Sequence, residues 1–299
     1  MMAMRSLLFI PADDEKKLGK GAASGADALI LDLEDAVSAA RKPAARDIVA
    51  RYIALTKTQV RRPQLFVRIN ALDGSDWEKD LEGMAGSGPD GIVLPKARSG
   101  EDVHKLSIAL AHAEERRGVA EGTTRVIAIA TEVPLSVLLM HSYVGASSRL
   151  TGLTWGAEDL SGALGAKTNR EDDGRTWRSP YMLARNLCLL TAIAAGVQPI
   201  DTVFVNLGDE EGLKLEALAA ARDGFTGKMA IHPHQVAAIN AAFTPTPQET
   251  AHAQEIIEAF AARPEAGVLA IRGHMVDRAH VVRAERLLAR AKMLEARGG

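Results

Sequence analysis

Short runs of apolar, often β-branched residues alternate along the chain with longer stretches whose apolar residues recur every three or four positions. The short runs are bounded by Gly, Pro or charged residues, which is typical of buried strands. This pattern predicts eight strands, at residues 7–10, 28–33, 65–69, 91–94, 126–130, 150–155, 201–205 and 227–231. The longer stretches predict helices, among them residues 42–54, 102–116, 181–195 and 211–221.

The alternation of strands and helices predicts the fold class. Strands that are apolar on both faces indicate a parallel sheet covered by helices, and eight strand–helix units in about 235 residues suit a closed (β/α)8 TIM barrel. A doubly wound open sheet is the alternative. It is less favoured because the chain has no Gly-x-Gly-x-x-Gly turn after a predicted strand.

The pattern changes after Phe243, where the sequence Thr244-Pro-Thr-Pro247 can continue neither a strand nor a helix. Thr246, Pro247 and Glu249 form the signature of a helix start, with an N-cap, a first-turn proline and a capping-box acid. We therefore predict a barrel domain at residues 1–243 and a helical C-terminal extension at residues 244–299, with helices near 249–262 and 278–296.

Composition narrows the possible partners. The 299 residues are 47% hydrophobic and 25% charged, with a formal net charge of −2. This balance provides no bulk attraction to nucleic acid or to an anionic membrane. The longest apolar run, residues 187–197, is too short to cross a bilayer, and the apolar run near the start is too short for a signal peptide. The single cysteine, Cys188, cannot form an internal disulfide, so we expect a cytoplasmic protein.

Polar residues gather where the predicted strands end. In a parallel barrel the carboxyl ends of the strands form one rim, where the reactive groups lie. Five acids and two bases would meet there, and crowded carboxylates repel one another unless a cation joins them. Oxygen ligands without clustered Cys or His favour Mg²⁺ or Mn²⁺ over Zn²⁺. Away from the strand ends, Lys16 and Lys20 could face either an anion or solvent, and Asp277 has the position of a helix N-cap.

Several short blocks together resemble the citrate lyase β-subunit-like branch of the HpcH/HpaI aldolase superfamily. They are Arg5-Ser-Leu-Leu-Phe-Ile-Pro11, Leu31-Asp-Leu-Glu-Asp-Ala-Val37, Val67-Arg-Ile-Asn70, Leu94-Pro-Lys96, Gly156-Ala-Glu-Asp-Leu160, Gly224-Phe-Thr-Gly-Lys228, Ile231-His-Pro-His-Gln235 and Gly273-His-Met-Val-Asp277. The resemblance implies a (β/α)8 barrel whose extension reaches a neighbouring subunit, in trimers or hexamers.

The resemblance also implies roles for particular residues. Glu132 and Asp159 resemble the protein ligands of Mg²⁺, and Arg68 resembles the residue that clamps the 2-oxo acid, with Ala157 and Glu158 beside it as substrate contacts. Four residues are expected to bind coenzyme A as part of the substrate: Lys16, Lys20, Ile231 and His232. Asp277 resembles a catalytic acid/base that serves a neighbour's active site. Glu34 and Asp35 are expected just outside the metal ligands, where they hold metal-bound water or Arg5.

These roles imply a Mg²⁺-dependent carbon–carbon lyase. It would cleave a malyl-, citramalyl- or citryl-CoA type thioester to acetyl-CoA and a 2-oxo acid, or run the reverse condensation. Two alternatives stay open. The first is a metal-dependent retro-aldolase on free 4-hydroxy-2-oxo acids, and the second is a citrate lyase β subunit that is inactive without an acyl carrier. We expect a homo-oligomer, with no nucleic acid or membrane partner.

Overall fold

A closed barrel of eight parallel strands forms the centre of the fold, with each strand hydrogen-bonded to its neighbours in chain order. The structure is a computed structural model that describes residues 4–84 and 86–298. The strands are β1 (Ser6–Pro11), β2 (Ala28–Asp32), β3 (Gln64–Arg68), β4 (Gly91–Leu94), β5 (Arg125–Ile129), β6 (Leu150–Thr154), β7 (Gln198–Asp201) and β8 (Gly227–Ala230). The (β/α)8 prediction is confirmed.

Helices follow the strands and cover the outside of the barrel. They are α1 (Glu15–Ala22), α2 (Lys42–Thr56), α3 (Asp76–Gly83), α4 (Gly100–Arg117), α5 (Pro134–Leu138), α6 (Ala157–Ala163), α7 (Ser179–Ala194), α8 (Glu210–Asp223) and α9 (Gln235–Ala242). Short 3-10 turns lie at Ala39–Arg41 and Met140–Tyr143.

Alternation along each strand determines which side chains enter the barrel. Every second residue of a strand faces inward, and inward-facing residues such as Ile30, Phe66 and Ile200 pack in one buried hydrophobic cluster. Successive side chains of a strand point to opposite faces, so residues i and i+2 share a face. Two positions further along, Asp32, Arg68 and Thr202 therefore lie on the same inner face. Polar side chains thus close the apolar interior at the carboxyl ends of the strands.

One predicted strand was displaced along the chain. The seventh strand, predicted at 201–205, is Gln198–Asp201, because backbone pairing with β6 and β8 selects the segment that contains Pro199. Because a proline disfavours strand assignment from sequence, the strand was predicted in the apolar run that follows.

The last residues form a second compact unit, Phe243–Gly299, separate from Met4–Ala242. It contains α10 (Pro247–Ala261), β9 (Val268–Ile271), β10 (His274–Asp277) and α11 (Arg278–Gly298). The predicted capping box is confirmed: Thr246 N–H donates to Glu249 Oε2 at 2.7 Å, and Glu249 N–H donates to Thr246 Oγ1 at 3.2 Å.

The antiparallel pair of β9 and β10 was not predicted, so the extension is not purely helical. The turn between them places Arg272 at φ 50° and Gly273 at φ 80°. Left-handed conformations at both central residues are typical of a tight two-residue hairpin turn. Short strands with exposed residues, such as Val268 and Met275, carry little periodic signal, which explains why the hairpin was missed.

Candidate active site

A cavity of about 420 Å³ opens at the carboxyl ends of the barrel strands. Its wall brings together seven of the predicted site residues, which come from five different places in the chain: Asp35, Arg68, Glu132, Ala157, Glu158, Asp159 and Ile231. The rest of the lining includes side chains that the sequence analysis did not assign, among them Phe9, Asp32, Thr154 and Trp155.

Arg68, the last residue of β3, is held from several sides. Its Nε and Nη2 donate to Asp32 at 2.8 and 2.6 Å, Nη1 lies 2.9 Å from Glu34, and the guanidinium carbon lies 4.9 Å from the centre of the Phe9 ring. Burial by itself lowers the pKa of Arg68, but the hydrogen bonds and charge of Asp32 outweigh it and hold the pKa above its ordinary value. The cavity therefore contains a fixed cation.

Glu132 follows β5 and is 3% exposed. Its carboxylate accepts a hydrogen bond from the backbone N–H of Lys96. Burial and, to a smaller extent, the negative charge of Asp159 raise the pKa of Glu132 to about 8. Gly156 makes this close packing possible, because a Cβ at position 156 would lie 2.5 Å from Glu132 Cγ.

Glu158 and Asp159 lie in the first turn of α6, directly after β6. Acidic residues are favourable in a first helical turn because the backbone N–H groups there have no partner within the helix. Glu158 Oε1 accepts a hydrogen bond from Asn169 Nδ2 at 2.8 Å, which ties the loop after α6 to the cavity wall.

The donor set suits a hard divalent cation. Glu132 and Asp159 both line the cavity, and the repulsion between them that raises the pKa of Glu132 is what a cation would relieve. Among residues 4–84 and 86–298, no group of three or more His, Cys, Asp or Glu side chains is arranged to hold a metal. Mg²⁺ commonly binds one or two carboxylates and keeps water or substrate oxygens as its other ligands. The two carboxylates therefore fit such an ion.

Lys96 contacts the acids of the site, although no role was predicted for it from the sequence. It follows β4 and has a left-handed backbone, with φ 49°. Its Nζ lies 2.5 Å from Glu34, 3.0 Å from Asp35 and 3.8 Å from Asp159. Although burial lowers the pKa of Lys96, the hydrogen bonds to Glu34 and Asp35 raise it above the ordinary value.

Glu34 and Asp35 were expected to hold metal-bound water or Arg5; the contact with Arg5 is not formed, and the role towards metal-bound water stays a prediction. Arg5 precedes β1 and pairs with Asp27 at 2.9 Å, at the amino ends of β1 and β2. The two acids follow β2, at its other end, where they contact Lys96. Burial raises the pKa of Glu34, although Arg68 and Lys96 oppose the shift.

Two of the residues expected to bind coenzyme A, Ile231 and His232, lie in the turn after β8. Ile231 lines the cavity, and its backbone N–H and that of His232 donate to Gln235 Oε1 at 2.9 and 3.3 Å. Slight burial, His234 and the charge of Lys20 lower the pKa of His232, which indicates that Lys20 lies near this turn. Lys16 and Lys20 are both exposed on α1.

Asp277 belongs to the second unit, at the start of α11. Its Oδ1 accepts hydrogen bonds from Ala279 N–H at 3.0 Å and lies 2.7 Å from His280 Nδ1. The hydrogen bond with His280 lowers the pKa of Asp277, so the carboxyl group is ionised near neutral pH. The helix-capping position predicted from local sequence is therefore present, and its chemical role stays a prediction.

The cavity, lined by carboxylates around a fixed arginine, lies at the carboxyl rim of the barrel, where the active sites of TIM-barrel enzymes are found. The sequence profile described as HpcH/HpaI aldolase/citrate lyase matches residues 5–233. The chain belongs to this family and is a lyase.

Two relatives of known name are 33–37% identical in sequence to this chain, and each aligns with nearly its full length. Citrate lyase subunit beta of Leuconostoc mesenteroides subsp. cremoris is 37% identical over 286 residues, which cover 95% of this chain and 92% of that protein. A (3S)-malyl-CoA thioesterase of Cereibacter sphaeroides (strain ATCC 17029 / ATH 2.4.9) is 33% identical, covering 98% of this chain and 96% of that protein.

A solved relative carries ligands. The crystal structure of protein CitE from Mycobacterium tuberculosis, in complex with magnesium, acetoacetate and coenzyme A, has a TM-score of 0.78 and 35% identity. The match covers 97% of this chain and 98% of that one. Among the described residues of our protein, no helix has the length and apolar character needed to cross a membrane.

Proposed function

We propose that this lyase is a Mg²⁺-dependent enzyme that cleaves a β-hydroxyacyl-CoA thioester of the malyl, citramalyl or citryl type to acetyl-CoA and a 2-oxo acid, or catalyses the reverse condensation. The observation that carries the proposal is the convergence of Arg68, Glu132 and Asp159 on one cavity. A relative with magnesium, acetoacetate and coenzyme A bound supports it.

Glu132 and Asp159 would hold the cation; Mn²⁺ could serve in place of Mg²⁺. When bound, the ion supplies Lewis-acid polarisation of the substrate's hydroxyl and carboxylate oxygens. Arg68 would bind the same carboxylate. Its fixed orientation matters here, because Asp32 occupies Nε and one Nη2 hydrogen and leaves other guanidinium hydrogens for the substrate.

Ala157 and Glu158 would contact the acyl part of the substrate, since both line the cavity at the start of α6. Lys16 and Lys20 would bind coenzyme A phosphates as exposed cations, while Ile231 and His232 would lie beside the thioester arm. The influence of Lys20 on His232 supports a common binding face for these groups.

Asp277 would handle the proton of the thioester enolate. Its lowered pKa leaves a carboxylate, which can remove a proton from the acetyl group in the condensation direction. In the cleavage direction the same group would return that proton. We further propose that Asp277 serves the active site of a neighbouring subunit, in a homotrimer or hexamer.

The test is a Mg²⁺-dependent cleavage assay on malyl-, citramalyl- and citryl-CoA and on free 4-hydroxy-2-oxo acids, with thioester loss and 2-oxo acid release followed together. Thioester turnover that EDTA abolishes supports the proposal. Asp159→Asn should abolish it, whereas Glu115→Gln, at an exposed position of α4, should leave it unchanged. Full activity of Asp159→Asn would refute the metal assignment.

The other family activities give different results in the same assay. Turnover of only the free acids would indicate the retro-aldolase activity. No turnover of any coenzyme A ester, with activity recovered on adding an acyl-carrier thioester, would indicate a citrate lyase β subunit. The presence of a malyl-CoA thioesterase among the relatives makes free coenzyme A release a further product to measure.

A further inference from the structure

Lys96 contacts both of the carboxylates that would hold the cation, through different parts of the residue. Its backbone N–H donates to Glu132, and its side-chain Nζ lies 3.8 Å from Asp159. Lys96 has a left-handed backbone, with φ 49°. Such a conformation is uncommon in a residue other than Gly, and it persists only where the surroundings enforce it.

Arg68 and Lys96, the two cations that contact the acids of the site, differ in how tightly they are held. Arg68 is held by Asp32, Glu34 and the ring of Phe9, and its side chain is only 13% exposed. The Lys96 side chain is 30% exposed. An ammonium group on a flexible four-carbon stem can move between acceptors, whereas a guanidinium locked by paired hydrogen bonds cannot.

The contacts of Lys96 also differ in length. Its Nζ is 2.5 Å from Glu34 and 3.0 Å from Asp35, whereas Asp159 is 3.8 Å away. A divalent cation on Glu132 and Asp159 would lie close to this ammonium group and repel it, since both are positive. The contact with Asp159 is the weakest, so it is the one that would break first.

We propose that Lys96 is the built-in counter-ion of the cation site. In the metal-free protein its ammonium group partly neutralises Asp159, and entry of the divalent cation breaks this contact and leaves the ammonium group paired only with Glu34 and Asp35. Lys96 is thus a positioning residue that lowers the intrinsic affinity for the metal and stabilises the empty site. The inference rests on the proposed function, because it takes Glu132 and Asp159 as the ligands.

The test measures Mg²⁺ binding rather than turnover. Metal-free protein is titrated calorimetrically with MgCl₂ at a pH above the value of about 8 to which the pKa of Glu132 is raised. Lys96→Met removes the charge but keeps a Cβ and the backbone N–H, so the hydrogen bond to Glu132 persists. We expect the Mg²⁺ dissociation constant to fall by about tenfold or more. The melting temperature of the metal-free variant should fall, and Mg²⁺ should raise it more than in wild type.

Three further variants make the result specific. Lys96→Gln is a second neutral variant that keeps a hydrogen-bond donor, and it should also tighten binding if Lys96→Met folds poorly. Lys96→Arg keeps the charge, so its affinity should stay within about threefold of wild type. Lys79→Met removes an exposed lysine that pairs with Asp76 at 3.2 Å, and it should leave Mg²⁺ binding unchanged.

The possible outcomes distinguish the metal assignment from the counter-ion role of Lys96. If wild-type protein binds no Mg²⁺, the metal assignment of the proposed function is wrong. If wild type binds Mg²⁺ but the neutral Lys96 variants bind it equally or more weakly, the metal assignment stands and the counter-ion role is refuted. A merely structural role of Lys96 would lower the melting temperature without tightening Mg²⁺ binding.

Discussion

The indole Nε1 of Trp155 donates a hydrogen bond to Asp201 at 2.8 Å and so connects the wall of the cavity to a buried ion pair. Asp201 at the end of β7 lies beside Lys228 of β8, with 2.7 Å between the charged atoms, and the Lys228 side chain is fully buried. Trp155 also packs edge-on against Trp177, with ring centres 4.9 Å apart. The orientation of one cavity residue therefore depends on charges behind the strands.

Trp155→Phe tests this connection. The variant keeps an aromatic ring but removes the N–H, which leaves one acceptor of the buried Asp201 carboxylate without its donor. Loss of a hydrogen bond to a charged group costs about 1.5–3 kcal/mol. We expect the free energy of unfolding in urea to fall by that amount and KM to rise. Trp177→Phe, which keeps the Asp201 contact, is the control and should lose less stability.

Arg68→Lys should be far more damaging than the similar charge suggests. An ammonium group cannot make the paired hydrogen bonds with Asp32, so it would neither hold the inner carboxylate nor present a fixed donor to the substrate. We expect kcat/KM to fall by about 10²–10³. Steady-state kinetics on the thioester that wild type cleaves would measure this fall in kcat/KM. A change of less than about threefold would contradict the assignment of Arg68 to the substrate site.

The position of Asp32 could have been predicted from alternation alone. Ala28 and Ile30 enter the barrel interior, so Asp32 must follow them on the same face. Its pairing with Arg68 then follows from the parallel register of β2 and β3, in which these two residues are partners. Asp32 belongs to the block Leu31-Asp-Leu-Glu-Asp-Ala-Val37, but without this register no role was predicted for it.

Other features could not be read from the sequence. Arg5 shares a sequence block with residues of the rim, but a strand of six residues spans about 20 Å and places Arg5 at the other end of the barrel. Lys96 has a left-handed backbone that nothing in Leu94-Pro-Lys96 predicts. Local pattern thus located the strands, whereas backbone conformation decided which side chains meet.

The raised pKa of Glu132 predicts how the stability of metal-free protein depends on pH. An acid with a pKa of about 8 when folded, against about 4.5 when unfolded, binds more protons in the folded state between these values. Its contribution is present in full below the unfolded pKa and is lost as the pH rises towards about 8. Glu34, whose pKa is also raised, acts in the same direction.

Glu132→Gln should therefore flatten the fall in stability with rising pH. Urea unfolding of wild type and variant across this pH range measures the difference, and equal slopes would contradict the raised pKa. In wild type a cation must displace the Glu132 proton, so Mg²⁺ affinity should increase as the pH rises to about 8. Calorimetry in buffers of different ionisation enthalpy would detect the released proton.

Asp277 combines a capping position with a proposed catalytic role, and one substitution separates them. Asn caps a helix about as well as Asp, so Asp277→Asn should keep the hydrogen bond from Ala279 and the melting temperature. It removes the acid/base group, and we expect kcat to fall by about 10²–10⁴.

Mixed oligomers then test whether Asp277 serves a neighbour. Asp277→Asn and Asp159→Asn are each expected to be inactive as pure oligomers. If the two groups belong to different chains of one active site, co-refolding both variants creates some sites with neither substitution, and part of the activity returns. If Asp277 served its own chain, every site in the mixture would carry one defect and no activity would return. Unchanged kcat of Asp277→Asn alone would reduce this residue to a helix cap.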